Sequence, residues 1–109
     1  MDKIQNILQN FADKVKDIIG DELDKIIVYG SYARGDYREN SDIDIMVLTH
    51  LSEDKIREKE VELYDLAFDF QMDYLIDISV MLVATHTFEY WLGALPFYDN
   101  VNKEGIKIA

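Results

Sequence analysis

The sequence has no cysteine, a single proline and two histidines in 109 residues. Lacking thiols, it excludes disulfides and thiolate zinc sites, and a reducing compartment, the cytoplasm, is the natural expectation. His50 and His86 lie far apart and read as loop or helix-start residues, so no imidazole metal site is expected. Basic residues are scarce as well: 11 Lys and Arg face 22 Asp and Glu, a formal net charge of -11. That imbalance would repel a long phosphate backbone, which argues against an extended nucleic-acid partner. No apolar run approaches the ~20 residues that cross a bilayer, and the opening MDKIQNILQNF lacks a basic region followed by an apolar stretch. Neither a membrane span nor a leader is expected. No repeat, linker or low-complexity segment interrupts the chain, and 49% apolar residues suffice for one core, so residues 1–109 read as one domain.

Hydrophobic periodicity supplies the elements. Ile4, Ile7, Leu8, Phe11, Val15, Ile18 and Ile19 recur at spacings of three and four, the stripe of an amphipathic helix, with Gly20 placed as its stop. The β-branched run Lys25 to Tyr29 predicts a strand that breaks at Gly30-Ser31 into a polar loop. Asp42 to Thr49 alternates and then turns wholly apolar, as a central strand does. Glu53 to about Met72 predicts a helix with Ile56, Leu63, Ala67 and Phe70 inward; its acidic start, Glu53 to Glu62, is most simply a solvated face. Leu75 to Val83 predicts a third strand that holds one acid, Asp77, in its first half. The tail predicts an aromatic helix, a break at Pro96, a short helix to Gly105 and a terminal strand around Ile106 to Ile108. Phe88, Tyr90, Trp91, Leu92 and Leu95 are expected to form core or a lid over the third strand, with some of that surface open to a protein partner.

One constellation carries chemistry. Gly30-Ser31 is followed by ten residues and then by Asp42-Ile43-Asp44. Side chains two apart on a strand share a face, so Asp42 and Asp44 stand side by side while Ile43 and Ile45 enter the core. Two adjacent anions repel, and a divalent cation relieves them; oxygen donors without His or Cys favour Mg²⁺ or Mn²⁺. A third carboxylate would complete a clamp for two ions, and Asp77 is the candidate, with Asp73 as the fallback. Asp77 on the acceptor side could also serve as general base or proton relay. Gly30 permits close backbone approach, and Ser31 offers a hydroxyl and an N–H to phosphates. Arg34 either reaches a triphosphate or pairs with Asp36 or the site carboxylates, and the sequence leaves both roles open.

The segment GSYARGDYRENSDIDI, in the form Gly-Ser-x10-Asp-x-Asp, resembles the signature of the DNA polymerase β-type nucleotidyltransferase superfamily, and the whole chain is similar to its minimal nucleotidyltransferases. The resemblance implies an α/β fold, a small mixed sheet with helices packed on one face and carboxylates on the other: a palm without fingers or thumb. It also implies the antitoxin of a HEPN/MNT toxin–antitoxin pair, which uses ATP and Mg²⁺ to place AMP on a tyrosine of a HEPN-type toxin. The implied metal ligands and catalytic residues are Asp42, Asp44 and Asp77, with Gly30 and Ser31 on the nucleotide, and no motif position is substituted. Two alternatives stand beside it: neutralisation of the partner by stoichiometric binding, and nucleotidyl transfer to a small molecule. The nucleotide, the acceptor and the state of association, with itself or with a partner, are left open by the sequence.

Overall fold

The structure, a computed structural model, describes residues 3–38 and 41–109. The first two residues, and Glu39 and Asn40 of the ten-residue spacer, lie outside the described residues. Helix α1 (Lys3–Ile19) buries Ile7, Leu8, Phe11, Ala12, Val15 and Ile19, the expected stripe. It gives way at Gly20 to one 3-10 turn through Glu22. Strand β1 (Leu23–Tyr29) runs into the short helix α2 (Ser31–Arg34), and β2 (Ile43–Thr49) follows the loop. Helix α3 (Glu53–Tyr74) is capped by Ser52, whose hydroxyl accepts from the Lys55 N–H, with Glu53 and Asp54 in the first turn. After β3 (Ile78–Ala84) come α4 (Thr85–Trp91), α5 (Pro96–Glu104) and the two-residue β4 (Ile106–Lys107). Pro96 stands at the start of α5, where its missing N–H costs nothing.

The sheet order is β3-β2-β1-β4. Strand β1 is antiparallel to both β2 and β4, while β3 is parallel to β2, so the sheet is mixed, with α3 as the crossover. Alternation sorts the side chains. Ile26, Val28, Ile43, Ile45, Val47, Val80 and Leu82 join α1 and α3 in one core, where Phe11 and Phe70 meet edge to face with centroids 5.2 Å apart. On the opposite face Ile27, Met46, Leu48 and Val83 pack under Phe88 of α4 and Val101 of α5. Strand β2, covered on both faces, is therefore apolar from Ile45 to Leu48.

Three expectations are adjusted. The two long helices share one face, as expected, but the short α4 and α5 close the far end of the other, so only its near end, around Asp44, stays open. Strand β3 starts at Ile78 rather than Leu75, because Leu75 ends α3 in the left-handed conformation (φ 58°) and residues 75–77 complete the turn. Asp77 thus precedes β3, as Asp42 precedes β2. Of the tail aromatics, Phe88 is core, whereas Tyr90 is 73% exposed and Trp91 and Leu95 are each more than a third exposed.

Candidate active site

The strand register sets a row across the sheet: Tyr29, Asp44 and Ser79 are neighbours on β1, β2 and β3. One step before that row the ladder begins, where the Ile43 N–H donates to the Asp77 carbonyl at 2.9 Å. This bond brings the backbones at Asp42 and Asp77 together at the mouths of two parallel strands. The two side chains, with Ser79, line an open cleft of about 490 Å³ whose far wall is Tyr64, Ala67, Phe68 and Gln71 of α3.

Gly30 closes the other side. Its φ of 76° lies in the left-handed region, and a Cβ there would overlap the Asp44 carboxylate. Only glycine lets the strand end come this close to the acid. From Gly30 the chain coils into α2: the Arg34 N–H donates to the Gly30 carbonyl and the Asp36 N–H to the Ser31 carbonyl, each at 3.0 Å. The half-buried Ser31 thereby starts α2 directly after the glycine that lies against Asp44.

The electrostatics follow from this packing. Burial pushes the Asp44 carboxyl up, the charge of Asp42 pushes it further, and the Arg34 guanidinium partly opposes both. Asp42 and Asp44 are therefore close enough to repel, and Arg34 is close enough to be felt. Arg34 also lies 3.7 Å from Asp36 and 3.6 Å from Glu104; these are loose, exposed pairs worth ~0–1 kcal/mol each, leaving the side chain free to be recruited elsewhere. Tyr29 is pushed up to about 12 by burial and, second, by the Asp44 charge. Its hydroxyl donates to the Met81 sulfur at 3.3 Å, and its ring meets Phe97 edge to face. Tyr29, Gly30 and Arg34 line a second cleft, about 260 Å³, with Phe97, Asn100, Val101 and Glu104.

Asp42 thus lines one cleft, and Tyr29 and Gly30, the neighbours of Asp44, line the other. The all-oxygen donors of the Asp42–Asp44 pair and the repulsion at Asp44, which Arg34 offsets only in part, fit a hard divalent cation such as Mg²⁺ or Mn²⁺. Asp77 shares a cleft with Asp42, yet among the described residues no three acidic or His side chains stand at metal-holding spacing. Asp73, the fallback acid, lines a separate depression with Lys14 and Leu66, away from the pair. Sequence reasoning missed Tyr29 and Ser79, although their positions, directly before Gly30 and two after Asp77, carry the signal; Gln71, Phe97 and Asn100 carry none.

The model of the family described as "Nucleotidyltransferase domain" matches residues 8–103. A Methanocaldococcus jannaschii protein named as a candidate protein adenylyltransferase is 35% identical over 106 residues, covering 97% of this chain and 99% of its own. A second protein of that name from the same organism is 39% identical over 80 residues, and there the match spans 73% of this chain and 54% of the relative. Among solved structures, one titled as a toxin–antitoxin with AMP-PNP superposes with a TM-score of 0.55 at 24% identity, over 93% of this chain and 72% of that one, which is a likeness of fold.

Proposed function

Because the chain belongs to the nucleotidyltransferase domain family, we propose that it is an antitoxin that transfers AMP from ATP to a tyrosine hydroxyl of a HEPN-type toxin in the cytoplasm. The observation that carries this reading is the carboxylate pair Asp42–Asp44, with Asp44 against the Gly30 turn, Asp42 lining one cleft, and Tyr29 and Gly30 beside Asp44 lining another. Support for a protein acceptor comes from the relatives' names, and support for ATP and a toxin from the neighbour solved with AMP-PNP.

In this reading the nucleotide enters on the Gly30 side. The Ser31 hydroxyl and N–H hold the β and γ phosphates, and Arg34 leaves its loose pairs for the triphosphate, where a planar guanidinium gains more than from exposed acids. Asp42 and Asp44, with Asp77 in the shared cleft, would hold two Mg²⁺ ions, which would supply charge neutralisation at the phosphates and acidify the acceptor hydroxyl. The acceptor comes through the Asp77 cleft. Its oxygen bonds to the α-phosphorus as the bond to the bridging oxygen breaks, pyrophosphate leaves, and the proton passes to an Asp77 carboxylate oxygen. Tyr29, kept protonated, walls the site without entering the chemistry.

ATP labelled on the α-phosphate, incubated with Mg²⁺, the protein and a purified HEPN toxin, tests this. Label should pass to the toxin and fall by about a hundredfold or more for Asp42→Asn with Asp44→Asn. Equal labelling by both proteins would overturn it. A variant that transfers nothing yet still silences the toxin would instead favour stoichiometric neutralisation.

A further inference from the structure

Helix α3 buries Leu63, Leu66, Ala67 and Phe70. Its outer side is not simply polar. Val61, Tyr64, Phe68, Met72 and Leu75 are spaced by three or four residues, so they form one line along the helix, and they are 60%, 52%, 58%, 58% and 88% exposed. Beside that line runs another, of Asp65, Asp69 and Asp73, all exposed. From Val61 to Leu75 there is no Lys or Arg, and among the described residues none of these three acids has an ion-pair partner.

The apolar line is also continuous with the site, since Tyr64 and Phe68 form the wall of the cleft that Asp42 and Asp77 enter. Its far end shows a cost without an internal return: Leu75 takes the left-handed conformation that glycine or asparagine normally supplies at a helix end, and buries almost nothing. A second copy of this chain is a poor occupant, because it would bring the same acids and a net charge of -11. A partner with an apolar ridge bordered by Lys and Arg matches both lines.

We propose that the outer face of α3, from Val61 to Leu75, is the docking surface for a basic protein partner, and that docking there presents the partner's acceptor side chain to the cleft of Asp42 and Asp77. The delivery half rests on the transferase reading above; the docking half does not.

The probe is a fluorescent synthetic helical peptide with a leucine ridge bordered by lysines, and a twin bordered by glutamates, measured by anisotropy against the whole protein. The lysine peptide should bind, more weakly as salt rises, and the glutamate twin should not. Asp69→Lys with Asp73→Lys should weaken binding about tenfold or more. Met72→Ser with Leu75→Gly should weaken it at an unchanged or higher melting temperature, which separates lost docking from lost folding. Equal binding of the two peptides, unchanged binding by both variants, or a homodimer in sedimentation that Met72→Ser with Leu75→Gly dissolves would overturn the proposal. Asp42→Asn with Asp44→Asn should bind the lysine peptide as the parent does. If that variant binds normally while the parent labels no toxin, only the transferase reading falls; if the parent labels its toxin and the α3 variants label it equally well, only the docking surface falls.

Discussion

Asp44 is a residue whose charge the fold opposes. Burial and Asp42 raise its carboxyl above the ordinary range, so the folded chain keeps this proton to higher pH than the unfolded chain does. Stability linked to Asp44 is therefore full below the usual carboxylate pKa of ~3.9 and is lost as pH climbs through the raised value. No hydrogen bond depends on its charge among the described residues, so Asp44→Asn, of the same shape, should melt no lower than the parent at neutral pH without divalent ions. Tyr29 reports the same charge from the neighbouring strand. Its phenol, now pushed up to about 12, should titrate lower in Asp44→Asn, read as the phenolate absorbance that Tyr29→Phe removes. The burial part of the shift should persist. A Tyr29 titration that does not move would mean that Asp44 carries no charge beside it.

At the scale of elements, α3 ends where few sequences would signal an end. For a leucine the left-handed conformation costs ~1–2 kcal/mol, while glycine there costs ~0.4–1 kcal/mol through the freedom it adds to the unfolded chain. Leu75→Gly should thus gain about 0.5–1 kcal/mol, seen as a higher denaturation midpoint with an unchanged slope. A lower midpoint would show that Leu75 packs usefully. The same residue explains what the sequence hid: leucine is no turn former, so LIDISV reads as one strand, and Asp77 was expected inside it. In contrast β2 was legible because a strand covered on both faces must be apolar, and the pair at 42 and 44 was legible because it interrupts that rule. Gly30 and Ser31 stood out as a break after a β-branched run. The two helices over the second face were legible from the aromatic run and Pro96, but which of their residues turn inward was not, since α4 and α5 together bury only Phe88, Thr85 and Val101.

For the whole molecule, charge acts on two length scales that experiment can separate. A net charge of -11 on 109 residues is self-repulsion spread over the surface, and mobile salt screens it over ~10 Å at 0.1 M. Raising NaCl should therefore raise the melting temperature, equally in the parent and in Asp42→Asn with Asp44→Asn apart from the part that belongs to the pair itself. Mg²⁺ at matched ionic strength adds only what specific binding contributes, which grows with the logarithm of its concentration once the site fills. The parent should show that additional rise and the double variant should not. Should both respond alike, the cation is acting on the diffuse charge, and the Asp42–Asp44 pair is not where it binds.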